Sequence, residues 1–246
     1  MRNIKLVMEY KGTNYHGFQR QPNLPTIQGE LEKTLSQILQ ENIVVKSAGR
    51  TDAGVHALHQ VINFRTRSQI PLLRLQHSLN SLLPRDIAVK EAEEVDESFD
   101  ARRNATSREY KYFIMNKDHP SPFFAEFSHF IASSLDIDAM QEAAKLFLGT
   151  HDFTAFCVQS DIPKNPVRTI FEISCKKVHH DLLCIKIKAD SFLHKMVRTI
   201  VGTLIRVGLG NLTLEQVAEI MEKKDRDRAG PTVPAKGLFL SNICYD

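Results

Sequence analysis

Along the first hundred residues, stretches with the hydrophobic spacing of a strand are interrupted by stretches with the spacing of a helix. Four stretches have the composition or the two-residue alternation of strands: residues 4–10, 43–48, 58–66 and 86–95. Two others have the three-to-four-residue spacing of helices: residues 26–41 and 71–82. Thr26 is expected to be the N-cap of the first helix, and Pro71 suits the first turn of the second. The pattern therefore predicts the element order β-α-β-β-α-β.

The remainder of the chain repeats this order. Strands are expected at residues 106–116, 168–178, 182–190 and 238–244. Helices are expected at residues 136–149, at 193–207 with Gly208 as C-terminal cap, and from Thr213, which has capping-box spacing with Gln216. Two such halves predict an α+β fold of two ferredoxin-like units, residues 1–104 and 105–246. A central cleft between them would be the default ligand site.

Composition narrows the class of protein. The 246 residues are 42% hydrophobic and 25% charged, which is ordinary for a globular protein. Charges interrupt the apolar run at the start, and no stretch approaches the roughly 18 apolar residues of a membrane span. The four cysteines lack C-x-x-C spacing, so we expect buried thiols and no metal centre. These features predict a reduced, soluble, cytoplasmic protein without membrane attachment.

Charge gives a weak indication of a nucleic-acid partner. The net charge of +3 is too small to argue for one by itself. An acidic run over residues 91–100 is followed at once by Arg102, Arg103, Arg108 and Lys111, with Tyr110 and Tyr112 between them. Such a run is usually a solvated face, but basic groups beside aromatic rings also suit single-stranded RNA.

The stretch Gly49–Ala57, GRTDAGVHA, contains the residues with the clearest chemical potential. It lies between two predicted strands and holds two glycines, Asp52, and Arg50 two positions earlier. Glycines permit tight turns, so such a loop can present a carboxylate at the end of a sheet. The spacing is equally compatible with a hairpin loop in which Asp52 only caps its own backbone.

Motifs along nearly the whole chain resemble those of the tRNA pseudouridine synthase A family. The counterparts run in order: Tyr10–Gln21 for YxGTxYxGWQxQ, residues 26–32 for TVQxxLE, residues 49–57 for GRTDAGVHA, Arg108–Tyr112 for RxYxY, His151–Phe156 for hDFxxF, Phe192–Arg198 for FLxxMVR, and Val233–Leu240 for APAxGLxL. Two positions depart from the family pattern. Phe18 replaces the usual Trp, and Glu109 stands where a basic residue is common. The departures bear on RNA affinity and substrate range.

The resemblance implies isomerisation of uridine to pseudouridine at positions 38, 39 and 40 of the tRNA anticodon stem-loop. Asp52 would be the nucleophile, attacking either C1′ of the ribose or C6 of the uracil, and a glycal route stays open. Arg198 would be the cation that keeps Asp52 ionised. Tyr110 would stack on the uracil, and Arg50 would contact phosphate or hold the flipped base. The resemblance also implies a homodimer, one tRNA touching both subunits, and no metal, cofactor or ATP, because the reaction consumes nothing.

Three competing interpretations stay open at this stage. The first is an RNA-binding module without activity, although no aromatic signature of such modules is present. The second is an enzyme that uses an Asp nucleophile on a small molecule, but phosphoryl transfer usually needs Mg²⁺ and further carboxylates. The third is a pseudouridine synthase with different target positions.

Overall fold

The computed structural model describes residues 1–245 and divides into two compact units. Unit 1 consists of Met1–Thr106 together with the chain from Phe239 onward, and unit 2 consists of Ser107–Leu238. The predicted α+β class is confirmed, because each unit combines mainly antiparallel strands with helices. The end of the chain, which the sequence assigned to the second half, groups with unit 1.

Unit 1 begins with a β-α-β-β-α-β succession. Its elements are β1 (Arg2–Tyr10), α1 (Ile27–Leu39), β2 (Lys46–Ser47), β3 (His56–Thr66), α2 (Leu72–Leu82) and β4 (Ile87–Val95). The strands lie in the order β4-β1-β3-β2 with antiparallel pairing throughout, which is the strand order of a ferredoxin-like unit. Apolar side chains of β1, α1 and α2 form the core: Ile4, Leu6, Met8, Ile27, Leu31, Leu35, Leu75 and Leu79 are fully buried.

Local hydrogen bonds set the element boundaries in unit 1. The Thr26 side chain accepts a hydrogen bond from the Gly29 N–H, which confirms it as N-cap of α1. The second strand is shorter than the predicted 43–48. The N–H groups of Ile43 and Val45 donate to the side chains of Ser36 and Glu32, so they are unavailable to a strand ladder.

Unit 2 contains most of the remaining elements. These are β5 (Ala105–Asn116), β6 (His129–Ile131), α3 (Ile137–Lys145), β7 (Gly149–Asp152), β8 (Val167–His179), β9 (Leu182–Ala189), α4 (Met196–Gly208) and α5 (Leu214–Lys223). Strands β5, β9, β8 and β7 pair antiparallel in that order, and β6 pairs parallel with β5. The capping box of Thr213 and Gln216 at the start of α5 is confirmed.

Helix α3 ends at Lys145, before Gly149 as predicted, and Gly149, with a φ of 92°, begins β7. Two other predicted features of unit 2 differ in the structure. Helix α4 starts at Met196 rather than 193, since Lys195 before it is left-handed with a φ of 62°. Gly208 is the last residue of the helix and not its cap. A Cβ there would lie 2.6 Å from Met140 Sδ, so glycine allows α4 to approach α3.

The last strand, β10 (Leu238–Tyr245), joins the sheet of unit 1. It runs parallel to β3, with Phe239 opposite His56 and Leu240 opposite Ala57. This pairing places Phe239 beside the beginning of β3, directly after the loop that contains Asp52.

Candidate active site

The loop of Asp52 connects β2 to β3 in unit 1. It leaves the ladder after the Ala48 N–H donates to Val61 O at 2.9 Å, and it turns where the Val55 N–H donates to Asp52 O at 3.1 Å. Gly54 supplies a positive φ of 77° in this turn. Arg50 is exposed and Asp52 partly exposed, whereas Thr51 between them is buried. The loop therefore places the guanidinium of Arg50 and the carboxylate of Asp52 on one accessible segment.

The segment between β1 and α1 holds this loop by backbone contacts. The Phe18 N–H donates to Thr51 O at 3.0 Å, and the Gly54 N–H donates to Tyr15 O at 3.3 Å. Two glycines make the approach possible. A Cβ on Gly12 would lie 2.0 Å from Val55 O, and one on Gly17 would lie 2.7 Å from Thr51 O. Two motifs far apart in sequence thus form one backbone-to-backbone clamp around Asp52.

His56 has a structural role at the end of the loop. Its Nδ1 accepts a hydrogen bond from the Gly12 N–H at 3.1 Å, so Nδ1 carries a lone pair and the ring proton of a neutral imidazole lies on Nε2. The ring is 1% exposed and stacks on Phe239 with centroids 4.6 Å apart. His56 therefore joins the segment at Gly12 to the start of β3.

Asp86 anchors the other side of the clamp. Its carboxylate accepts a 2.5 Å hydrogen bond from the Tyr15 hydroxyl, and its main-chain carbonyl accepts one from the Lys11 N–H at 2.9 Å. Burial and the Asp86 carboxylate together raise the pKa of the Tyr15 phenol, which keeps it protonated as the donor. The turn before β4 thus fixes the segment that holds the Asp52 loop.

Phe18 lies in the core of unit 1 and not on the accessible surface. Its side chain is 1% exposed, and its ring centroid is 6.2 Å from that of Tyr10. The departure from the family's Trp at this position therefore concerns packing beneath the loop.

In unit 2, Tyr110 and Tyr112 lie on the same face of β5, as expected from their spacing, and both are buried. The Tyr110 ring meets Phe192 edge-on, with centroids 5.2 Å apart and planes at 90°. The Tyr112 hydroxyl donates to Pro234 O at 2.9 Å. The strand with RxYxY spacing therefore contacts the segment that leads into α4 through Tyr110 and the loop before β10 through Tyr112.

Arg198 lies in the first turn of α4 and is half-buried. Its Nε donates a 2.7 Å hydrogen bond to Val233 O, and the Val233 N–H donates to Arg198 O at 3.4 Å. Burial raises the pKa of the Tyr112 phenol, and the positive charge of Arg198 opposes that effect. The guanidinium is therefore held against the loop before β10 and is not a mobile surface group.

The four predicted site residues thus fall in two pairs. Asp52 and Arg50 share a loop of unit 1, whereas Tyr110 and Arg198 belong to unit 2. Two residues that support the loop were not predicted: Asp86, which binds Tyr15, and Gln60, whose side chain donates to Gly49 O at 2.9 Å. Asp86 lay at a predicted strand boundary, and Gln60 lay inside a predicted strand. The sequence signal for Gln60 was a polar residue within a predicted strand that is otherwise rich in apolar residues.

The cysteines form no second reactive centre. Cys157, Cys175 and Cys184 are buried, as expected, whereas Cys244 is only partly buried, and all four cysteines are free. Burial raises the pKa of all three buried thiols, that of Cys175 to about 12, so they stay protonated at neutral pH. Within residues 1–245, no cluster of three His, Cys, Asp or Glu side chains is arranged to hold a metal ion.

Across the part of the chain that the structure describes, no helix has the length and apolarity needed to cross a membrane.

The family model and the curated relatives that match this chain agree on one family. The family model described as tRNA pseudouridine synthase matches residues 6–102 and 143–246. The tRNA pseudouridine synthase A of Acetivibrio thermocellus is 44% identical over 245 residues, covering 100% of both chains. The protein of the same name from Bacillus subtilis is 43% identical, covering 99% of both chains. Among solved structures, an archaeal box H/ACA sRNP Nop10–Cbf5 complex matches with a TM-score of 0.36 and 10% identity, covering 93% of this chain and 59% of that one. On the family model and the full-length relatives, this chain belongs to the tRNA pseudouridine synthase A family, a family of isomerases.

Proposed function

We propose that this chain converts uridine to pseudouridine at positions 38, 39 and 40 of the tRNA anticodon stem-loop, with Asp52 as the nucleophile. The observation that carries the proposal is the clamped loop. It keeps an accessible carboxylate on a backbone fixed from both sides, at Thr51 by Phe18 and at Gly54 by Tyr15. A nucleophile must be held within a fraction of an ångström of its productive geometry, and two backbone hydrogen bonds restrict the loop accordingly.

The reaction is a rearrangement within one nucleotide. The bond from uracil N1 to ribose C1′ breaks, the uracil turns, and a bond forms from C5 to C1′. C5 loses its proton and N1 gains one, so atoms and electrons balance without an oxidant or a phosphoryl donor. Asp52 would form a transient bond to C1′ or to C6 of the uracil and be released when the product forms.

Arg198 would be the cation that pairs with the Asp52 carboxylate. A guanidinium can hold a carboxylate in one orientation through two parallel hydrogen bonds. The support for Arg198 is its fixed position: one edge of its guanidinium is hydrogen-bonded to Val233 O. A guanidinium that is already oriented loses less entropy when it binds a carboxylate.

Tyr110 and Arg50 are assigned to the substrate. Arg50 is exposed two residues from Asp52, so it can contact a phosphate or hold the flipped base out of the helix. Tyr110 would stack on the uracil, and its edge-on contact with Phe192 supports this by fixing the plane of the ring. We also propose that the protein acts in the cytoplasm as a homodimer, with one tRNA contacting both subunits.

Substrate mapping tests the proposed target positions. An unmodified tRNA transcript carrying tritium at C5 of its uridines is incubated with the protein, and tritium release is counted while the modified positions are mapped. We expect release from positions 38–40. Transcripts in which those uridines are replaced by cytidine should release none. Undiminished release from the substituted transcripts would place the target elsewhere, and tRNA binding without release from any transcript would indicate a different RNA substrate.

A further inference from the structure

A buried network of three polar side chains lies beneath the Asp52 loop. Gln60 on β3, Tyr10 at the end of β1 and Thr51 in the loop are 0%, 4% and 6% exposed. The Tyr10 hydroxyl lies 2.8 Å from Thr51 Oγ1, and Gln60 Nε2 donates to the Tyr10 oxygen at 3.4 Å and to Gly49 O at 2.9 Å. The network thus contacts the loop at Gly49 and at Thr51, on both sides of Arg50 and directly before Asp52.

The direction of these hydrogen bonds follows from the backbone groups around Gln60. Its Oε1 accepts from the Val61 N–H at 3.2 Å, while Nε2 donates to a main-chain carbonyl, so the amide orientation is determined by two fixed partners. The second Nε2 proton then points to the Tyr10 oxygen. The other hydrogen bond of that oxygen is the 2.8 Å contact with Thr51 Oγ1, in which either hydroxyl can be the donor.

The Tyr10 phenol keeps its proton at the pH at which enzymes usually work. Burial raises the pKa of its phenol to about 12, although the hydrogen bonds with Thr51 and Gln60 lower it. The phenol is therefore protonated at neutral pH. Thr51 is held twice, through its hydroxyl by Tyr10 and through its carbonyl by the Phe18 N–H at 3.0 Å. Rotation of the peptide that leads into Asp52 would break the contact of the carbonyl, and displacement of Thr51 as a whole would break both contacts.

We propose that Tyr10 and Gln60 are positioning residues for catalysis, which act through Thr51 and Gly49 to fix the backbone that carries Asp52. The inference rests on the proposed role of Asp52. The network touches neither substrate nor reacting atoms, so its loss should lower the turnover rate and leave tRNA binding unchanged. Misplacing a reacting group by about 1 Å costs about a hundredfold in rate, and partial loss of this network should cost about tenfold.

Hydroxyl deletion and restoration test the proposal. Tyr10→Phe and Thr51→Val each remove one partner of the same hydrogen bond, and Thr51→Ser keeps the hydroxyl. We expect kcat to fall about tenfold in Tyr10→Phe and Thr51→Val, with the tRNA KM within twofold of wild type. Thr51→Ser should recover most of the activity. The double variant should be no slower than the worse single variant, because both substitutions delete one interaction.

A matched phenol deletion serves as the control. The Tyr245 hydroxyl donates to Ala101 O at 2.8 Å, also within unit 1 but outside the loop. Tyr245→Phe should lose some thermal stability without a change in kcat. Wild-type turnover in the tyrosine and threonine variants, or equal losses in Tyr245→Phe, would overturn the positioning role. Absence of activity in the wild-type protein would instead contradict the proposed function, so the two failures are distinguishable.

Discussion

Gly17 and Thr51 approach so closely that a Cβ on Gly17 would lie 2.7 Å from the Thr51 carbonyl oxygen. The same glycine has a φ of 90°, a conformation that side-chain-bearing residues rarely adopt. The hydrogen bond from the Phe18 N–H to Thr51 O depends on this approach. Tight backbone contact is therefore a requirement at the point where the segment after β1 holds the nucleophile's loop.

Gly17→Ala should consequently lower both stability and activity. The positive φ alone costs a non-glycine residue about 1–3 kcal/mol, and the contact with Thr51 forces the loop to move as well. We expect a lower free energy of unfolding by denaturant titration, and loss of most turnover even where the protein is fully folded.

Gly210→Ala is the control that separates the two effects. Gly210 also has a positive φ, of 72°, but an added Cβ there would meet nothing within 4 Å. The Gly210→Ala variant should have a lower free energy of unfolding but wild-type turnover per folded molecule. If Gly17→Ala kept wild-type turnover, the close approach would be irrelevant to the loop's geometry.

Arg198→Met should reduce turnover more than tRNA binding. The substitution removes the charge assigned to Asp52, and a hydrogen bond to a charged group contributes about 1.5–3 kcal/mol, which corresponds to roughly tenfold to a hundredfold in rate. Arg206→Met provides the control on the same helix. Arg206 also donates to a main-chain carbonyl, that of Arg228 at 3.0 Å, without an assigned catalytic role. Steady-state kinetics would give the turnover of both variants. Equal losses of turnover in Arg198→Met and Arg206→Met would contradict the assignment of Arg198.

The ion pair of Asp152 and Lys224 should make unit 2 sensitive to acid. The carboxylate lies 2.6 Å from the Lys224 ammonium and accepts two hydrogen bonds from Thr154. Desolvation raises the pKa of Asp152, but Lys224 and Thr154 outweigh it and hold the pKa below its usual value. A carboxyl whose folded-state pKa is depressed stabilises the fold above its unfolded pKa of about 3.9, and that stability is lost as the pH falls through the folded value.

Asp152→Asn measures this contribution directly. The difference in unfolding free energy between wild type and variant should be largest near pH 7 and shrink as the pH falls below about 4. Denaturant titrations at a series of pH values give the difference. A gap that does not change with pH would mean that the ion pair contributes nothing to stability.

Periodicity predicted the main elements because their cores are built from local repeats. Thr26 and Thr213 were identified as N-caps from side-chain chemistry that acts within one turn of helix. The sequence did not predict the features that depend on contacts between residues distant in the chain. Gly208 was interpreted as a cap, but it is needed because Met140, distant in sequence, packs against it. The shortened β2 follows from hydrogen bonds to side chains on α1, which no period in residues 43–48 reveals.

The candidate site likewise has one part that the sequence predicted and one part that it did not. The loop of Asp52 could be found from its two glycines and its position between strands. The clamp could not, because it consists of backbone contacts between Phe18 and Thr51 and between Tyr15 and Gly54, and the sequence does not show which backbone groups pair. The supporting roles of Asp86 and Gln60 became visible only when their partners were placed beside them.

Replacing the Asp52 carboxylate is the most direct test of the central claim. Asp52→Asn keeps the size of the side chain and removes its nucleophilic charge. Asp138→Asn makes the same change on the exposed first turn of α3. Tritium release from C5-labelled uridine in the tRNA transcript would be measured under single-turnover conditions with enzyme in excess. The account predicts wild-type release by Asp138→Asn and none by Asp52→Asn, with tRNA still bound. Release by Asp52→Asn at the wild-type rate would contradict Asp52 as the nucleophile.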